Sequence, residues 1–154
     1  YGPHQRQTHP LSEMLVAILN HERIHVPDSL EKQYYWTHVH DHCLGIHLAL
    51  TSGKVGETYS FSNDKGISKL ELATLLMSTL NDLKPSKAGL YQQQIELIHT
   101  NPLNTSRLSM GNSKAVCELG YQENFPYKEG IKNTVSWYLN SRDYLANPKP
   151  SQAA

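Results

Sequence analysis

Apolar positions recur at helical spacing in three stretches of the chain. The first stretch predicts a helix over residues 10–21, with Pro10 in its first turn. The second follows Ser68 and Glu71, whose three-residue separation is that of a capping box. The third predicts a helix over residues 127–140. The apolar positions of the first and third helices are Leu11, Met14, Leu15, Ile18 and Leu19, and Ile131, Val135, Tyr138 and Leu139.

Shorter elements fill the intervals between these helices. Asp41 is placed to cap a helix over residues 42–52 that ends at Gly53, and Gly120 is placed to close a helix over residues 113–119. Alternating or β-branched runs predict strands at residues 24–26, 33–39, 57–61 and 95–99. Short strands between helices predict a mixed α/β domain that is too small for a complete doubly wound sheet.

Composition excludes several classes of protein. The 154 residues suffice for one domain, and 14 basic residues balance 14 acidic ones, which argues against binding to nucleic acid through phosphate neutralisation. No apolar run approaches the ~18 residues of a membrane helix, and the polar opening argues against a signal peptide. Cys43 and Cys117 form no paired motif. We therefore expect a cytoplasmic protein with free thiols and no membrane contact.

The familiar catalytic motifs are absent from the sequence. We find no glycine-rich dinucleotide fingerprint, no phosphate-binding P-loop and no Gly-x-Ser-x-Gly nucleophile motif. A Tyr-x-x-x-Lys pair at a helical site, in which the lysine would lower the pKa of a catalytic tyrosine, is also missing. These residues therefore contain no self-sufficient catalytic constellation.

Histidines cluster at residues 38–43, which read His-Val-His-Asp-His-Cys. His38 and His40 would share one face of a strand, and His42 would follow a turn later. Imidazole and thiol groups bind zinc well, and the segment resembles, one residue short, the His-x-His-x-Asp-His motif of metallo-β-lactamase-like hydrolases. A metal-dependent hydrolase is therefore one hypothesis. The alternative is a strand end with half-exposed histidines followed by an aspartate cap.

Several motifs together resemble the C-terminal part of dTDP-glucose 4,6-dehydratases, which are extended short-chain dehydrogenases/reductases. The resemblance covers about residues 1–145. Its motifs are Tyr-Gly-Pro at 1–3, Trp-x-x-Val-x-Asp-His at 36–42, Gly-Lys-Val-Gly-Glu-Thr-Tyr at 53–59, Ser-Lys at 113–114, Glu-Leu-Gly-Tyr at 118–121 and Gly-Ile-Lys-Asn-Thr-Val-Ser-Trp-Tyr at 130–138.

The resemblance implies a small mixed α/β substrate-binding lobe over residues 1–145, without the complete Rossmann sheet, followed by a disordered tail at 146–154. The family belongs to the NAD-dependent epimerases/dehydratases, and its dehydratases are lyases of nucleotide-sugar metabolism. The resemblance places NAD and the catalytic groups in an N-terminal half outside the chain. The chain would bind substrate without being catalytic alone. A degenerate stand-alone lobe that binds another ligand or a protein remains the alternative.

Six positions correspond by resemblance to ligand-binding residues of the family, and at most of them the residue has changed. The family's Lys, Arg and Asn at three of them are here His9, Tyr34 and Ser60. In a later segment the family's first Arg and its His have become asparagine, and the final Arg persists; these residues are Asn101, Asn104 and Arg107. Each charge-assisted hydrogen bond lost is worth roughly 1.5–3 kcal/mol, so binding of a dTDP-hexose is predicted to be weakened.

A lobe separated from its cofactor domain also exposes surface. Strands that extend the sheet of the family's cofactor domain would leave free edges and an apolar face. The resemblance therefore implies self-association, or a partner that covers this surface.

Overall fold

A computed structural model describes residues 1–27, 33–86, 91–99 and 111–141 of the chain. Within these ranges the elements comprise five α-helices, four short strands and a 3₁₀ turn. In chain order they are α1 (Pro10–Leu19), β1 (Ile24–Pro27), β2 (Gln33–Tyr34), α2 (Val39–Ser52), β3 (Ile67–Ser68), α3 (Lys69–Leu83), the 3₁₀ turn (Gln92–Gln94), β4 (Ile95–Ile98), α4 (Ser113–Leu119) and α5 (Tyr127–Asn140).

The strands form two small sheets. β1 pairs in parallel with β4, with Ile24 opposite Ile95, and β2 pairs antiparallel with β3. The prediction of a mixed α/β lobe without a complete doubly wound sheet is confirmed. In the described part of the chain no helix is long and apolar enough to cross a membrane. The predicted tail at 146–154 lies outside the described residues.

The main core lies between α1, α3, α5 and the inner side of β1. Its fully buried side chains include the apolar stripes that the sequence predicts for α1 and α5, namely Leu15, Ile18, Ile131, Val135 and Tyr138. Trp36 and Trp137 pack against this core as partly buried side chains. A smaller core joins α2 to α4 and consists of Ala115, Leu119 and Tyr121, with Leu48, Ala49, Tyr59 and Phe61 around them.

The capping box before α3 and the glycine that closes α4 are where the sequence places them. At the start of α3 the Ser68 hydroxyl accepts a hydrogen bond from the Glu71 nitrogen at 3.1 Å, and the Glu71 carboxylate accepts one from the Ser68 nitrogen at 2.8 Å. These bonds lower the pKa of Glu71. Helix α4 ends at Gly120, which adopts φ +65°, a left-handed conformation that suits glycine. Helix α1 ends at Leu19, two residues earlier than predicted.

Two strand predictions are wrong. Of the strand predicted over residues 33–39, Gln33–Tyr34 alone is a strand, because residues 37–39 pair with a single residue rather than with another strand. The Tyr1 nitrogen donates to the Thr37 carbonyl at 2.8 Å, and the Val39 nitrogen donates to the Tyr1 carbonyl at 2.7 Å. Residues 57–61 are no strand either, since no described strand pairs with them.

The predicted start of α2 is also wrong. The helix begins at Val39 rather than after Asp41, and its cap is His38, whose Nδ1 accepts a hydrogen bond from the His40 nitrogen at 3.3 Å. Asp41 therefore lies in the first turn of the helix. Its carboxylate accepts hydrogen bonds from the segment before α5, so it does not cap its own helix.

Candidate functional site

The ligand positions predicted from the sequence lie in separate places along the described chain. His9 is exposed directly before α1, Tyr34 is half-buried in β2, and Ser60 is half-buried in the segment that leads to β3. The remaining positions, Asn101, Asn104 and Arg107, lie outside the described residues.

A groove of about 160 Å³ opens between α1, β1 and the first turn of α3, at Pro10. Side chains of α1 and Ile24 form its apolar wall, and Glu13, His25 and Lys69 contribute its polar groups. The Lys69 ammonium donates to the His25 carbonyl at 3.5 Å. The groove thus combines an apolar wall with a cation, a pairing suited to a base and a phosphate. Lys69 was not predicted as a binding residue, because its position is that of the capping segment of α3.

His38 is buried at the start of α2 among aromatic rings. Its ring centroid lies 4.3 Å from that of Phe125 and 5.6 Å from that of His40, and Tyr1 meets it edge-on at 5.3 Å. Burial is the main cause that lowers the pKa of His38, and the neighbouring His40 lowers it further. Because Nδ1 accepts the capping hydrogen bond, His38 is a neutral structural residue at pH 7.

The arrangement of the histidine cluster differs from the one predicted. His38 and His40 do not share a strand face; they stack at the N-terminus of α2, with ring planes 4° apart. His42 is exposed and lies edge-on to Phe61 at 6.4 Å. Within the described ranges, no three His, Cys, Asp or Glu side chains are grouped to hold a metal ion. The metal-dependent hydrolase hypothesis therefore gains no support from the geometry of residues 38–43.

Asp41 joins α2 to the segment that leads into α5. The side chain is 2% exposed, and its two oxygens accept hydrogen bonds from the Asn124 nitrogen at 2.9 Å and the Phe125 nitrogen at 3.2 Å. These bonds hold Phe125 against His38. The contact spans more than 80 residues of sequence, so no local pattern could have revealed it.

The charge of Asp41 helps to raise the pKa values of both Tyr121 and Glu123. Burial raises the pKa of the Tyr121 hydroxyl, and the hydroxyl has no hydrogen-bond partner among the described residues. Burial, with repulsion from Asp41 and Asp64, raises the pKa of Glu123 to about 7. Glu123 therefore changes its charge close to neutral pH. No local pattern in the sequence indicates this property.

The wild type is expected to lose stability as pH rises towards 8, and Glu123→Gln is expected to lack this loss. In the unfolded chain the carboxyl ionises at its ordinary pKa of 4.5, whereas the folded chain keeps the proton up to about pH 7. The stabilisation by the bound proton is thus complete below pH 4.5 and is lost as pH rises through 7. Because the carboxyl is partly exposed and screened, we expect a loss of about 1–2 kcal/mol between about pH 5 and 8.

Urea unfolding of the wild type and of Glu123→Gln across this pH range measures the effect. The difference between the two proteins isolates Glu123, because His38 titrates in both. A difference that stays constant with pH would contradict the prediction.

An ionic cluster fastens residues 54–59 to α4. The Tyr59 hydroxyl donates to the Glu118 carboxylate at 3.1 Å and accepts from the Lys54 nitrogen at 3.1 Å, and the Lys54 ammonium lies 3.3 Å from Glu118. Lys114 pairs with Glu57 and also lies over the Tyr59 ring, 5.0 Å from its centroid. Because these charged groups are largely exposed, the cluster orders the segment more than it stabilises the fold.

Comparison with known proteins identifies the class. No protein-family model matches the chain. Solved structures of nucleotide-sugar enzymes share its fold. A Streptomyces venezuelae dTDP-glucose 4,6-dehydratase with NAD bound superposes with a TM-score of 0.77 at 24% identity, over 94% of this chain and 42% of that one. A Thermotoga maritima UDP-glucose 4-epimerase with UDP-glucose gives a TM-score of 0.75 at 19% identity, over 92% and 44%. At under 25% identity these structures show the fold alone. The sequence matches to curated relatives, at 26% and 33% identity, place the chain in the extended short-chain dehydrogenase/reductase family, as a C-terminal part.

Within this family, the curated relatives that the chain resembles are dTDP-glucose 4,6-dehydratases. The Salmonella typhimurium enzyme is 26% identical over 149 residues, which are 97% of this chain and 41% of that enzyme. The Haemophilus influenzae enzyme is 33% identical over 107 residues, or 68% of this chain and 32% of that enzyme. The chain thus spans about two fifths of the length of the Salmonella relative.

Proposed function

We propose that residues 1–145 form the nucleotide-sugar-binding lobe of an enzyme similar to dTDP-glucose 4,6-dehydratase, and that the lobe is not catalytic alone. The observation that carries the proposal is the match to these dehydratases over 97% of this chain but only 41% of the relative. The sequence contains no dinucleotide fingerprint and no Tyr-x-x-x-Lys pair at a helical site. Hydride transfer to and from NAD, and proton transfer on the sugar, would therefore depend on the cofactor-binding portion of the enzyme.

The groove at Pro10 is the described feature to which we assign part of the nucleotide end of the substrate. Its apolar wall can contact a base, and Lys69 can pair with a phosphate oxygen. Glu13 shares this groove and opposes an anion, so the favourable charge is modest. The substrate class we propose is a dTDP-hexose.

Binding of the dTDP-hexose is proposed to be weak. His9 and Tyr34 stand where the family has a lysine and an arginine, and each lost charge-assisted bond is worth roughly 1.5–3 kcal/mol. Two such losses weaken binding by about two to four orders of magnitude. Starting from micromolar affinity, the dissociation constant would be roughly 0.1–10 mM.

Thermal unfolding with dTDP-glucose tests the proposal, because a ligand that binds the folded state raises the Tm. We expect a rise with dTDP-glucose that exceeds those with UDP-, GDP- and CDP-glucose. Lys69→Ala should reduce the rise, and Lys65→Ala, an exposed lysine that does not line the groove, should not. An unchanged Tm at about 20 mM dTDP-glucose would overturn the proposal. A micromolar dissociation constant would overturn the prediction that binding is weak.

A further inference from the structure

Residues 121–126 join α4 to α5 without helix or strand structure. At the start of this segment the Tyr121 ring is buried in the smaller core. Towards its end the Asp41 carboxylate on α2 accepts hydrogen bonds from the Asn124 and Phe125 nitrogens, at 2.9 and 3.2 Å. The second half of the segment is therefore hydrogen-bonded to α2 through one carboxylate, so a change at that carboxylate affects the whole contact.

Glu123 lies in this segment and has no counter-charge. Its Oε1 is buried and has no hydrogen-bond partner among the described residues, and the ion pairs of those residues do not include it. It directly precedes Asn124, whose nitrogen is bonded to Asp41, and Asp41 is only 2% exposed. Ionised Glu123 therefore adds a second negative charge beside a buried carboxylate, which is unfavourable without a cation.

The groups that face Glu123 do not neutralise this charge. Burial raises the pKa of Glu123, and repulsion from Asp41 on α2 and from Asp64 in the segment before β3 raises it further, to about 7. Three phenols also interact with it electrostatically, those of Tyr1, Tyr121 and Tyr127. Burial raises the pKa values of these phenols, so they stay neutral between about pH 5 and 8.

Phe125 covers the N-terminus of α2 from the same segment. Its ring centroid lies 4.3 Å from that of His38 and 5.5 Å from that of His40, with ring planes 21° apart in both pairs. Beneath this ring the His38 side chain is 1% exposed. Release of the segment from Asp41 would therefore also remove the aromatic cover of His38.

We propose that residues 121–126 form a pH-sensitive latch on α2, with Glu123 as the group that opens it. Below neutral pH the protonated carboxyl adds no charge beside Asp41, and the latch is closed. As pH rises through neutrality Glu123 gives its proton to solvent, its carboxylate is repelled by Asp41 and Asp64, and the latch opens so that water solvates the charge. The closed state binds the proton more tightly than the open state, so raising the pH favours opening.

The latch is a feature separate from nucleotide-sugar binding. None of its residues lines the groove at Pro10. The inference therefore does not rest on the proposed function, and a failure of one leaves the other intact.

Amide hydrogen exchange of the full chain tests the latch. At Asn124 and Phe125 we expect the opening equilibrium constant, corrected for the intrinsic pH dependence of exchange, to rise about tenfold or more between pH 5 and 8. These amides should also exchange faster than the amide of Val135 in α5, because local opening requires less free energy than unfolding. In Glu123→Gln, which carries no charge at either pH, the opening constant should stay unchanged.

Two further variants serve as controls. Glu129→Gln removes an exposed carboxyl in the first turn of α5, so it should leave the rise with pH as it is in the wild type. Asp64→Asn removes one of the two repelling charges, so it should reduce the rise without abolishing it.

Two outcomes of the exchange experiment would overturn the inference. An equal rise in the wild type and in Glu123→Gln would assign the pH dependence to another group, such as His38. Exchange of Asn124 and Phe125 only at the rate of Val135 would mean that the segment opens only when the whole lobe unfolds.

Modification by diethyl pyrocarbonate provides a second measurement on the same proteins. His38 is buried beneath Phe125, whereas His42 is exposed. At pH 8 we expect His38 to react about tenfold faster in the wild type than in Glu123→Gln, with His42 reacting equally in both. Comparison at a single pH removes the effect of the protonation of the histidines themselves. Equal reactivity of His38 in the two proteins would show that Phe125 stays on α2, contrary to the proposed latch.

Discussion

Replacing Asp41 with alanine is expected to lower the free energy of unfolding by about 3 kcal/mol. The carboxylate is 2% exposed and accepts hydrogen bonds from the backbone nitrogens of Asn124 and Phe125. The substitution leaves both donors without their acceptor and releases the segment that precedes α5. Urea unfolding followed by circular dichroism measures the change.

Two variants serve as controls for this loss. Asp41→Asn retains the shape and one acceptor oxygen, so about half the loss is expected. Asn124→Ala keeps the backbone donor and removes an exposed side chain, so it should change stability by less than about 0.5 kcal/mol. If Asp41→Ala were as stable as Asn124→Ala, the link between α2 and α5 would have no energetic importance.

Tyr138→Ala is expected to lower the free energy of unfolding by about 4 kcal/mol. The ring is fully buried in the main core, and its hydroxyl donates to the Gln5 carbonyl at 2.7 Å and lies 2.9 Å from the Ser12 hydroxyl. Truncation therefore creates a cavity and also removes the polar contact that joins α5 to the chain before α1. The measurement is the urea midpoint together with the slope of unfolding.

Tyr138→Phe separates the two contributions. It retains the ring and removes the hydroxyl, so a loss of about 1–2 kcal/mol is expected. The neighbouring Trp137 is partly buried, and its ring lies 4.4 Å from that of His4. A loss for Tyr138→Ala no greater than that for Tyr138→Phe would show that the core closes around the missing ring, contrary to the prediction.

The two substitutions act on different parts of the molecule. Tyr138 stabilises the core that carries the groove at Pro10, whereas Asp41 secures α2 to the segment before α5. A variant that loosens α2 should therefore leave binding of a nucleotide sugar at the groove largely unchanged, because no residue of α2 lines it.

The helices of this lobe were predictable because their signals are local. The stripe of α5 and the capping box at Ser68 lie within single elements, and Gly120 ends α4 through its own backbone conformation. The family was recognisable for a related reason, since the motifs that carry the resemblance are short runs of neighbouring residues. Such features depend on neighbours within a few residues, so the sequence determined them by itself.

Tertiary structure alone decided the features that depend on distant partners. Residues 57–61 have the pattern of a strand, but a strand requires hydrogen bonds to another one, and the described chain provides none. Asp41 has the sequence position of a cap, yet it bonds to backbone nitrogens 83 and 84 residues away. The raised pKa of Glu123 likewise comes from burial and from the charges of Asp41 and Asp64. Hydrogen bonding and desolvation act through space, and the spacing of residues along the chain does not encode them.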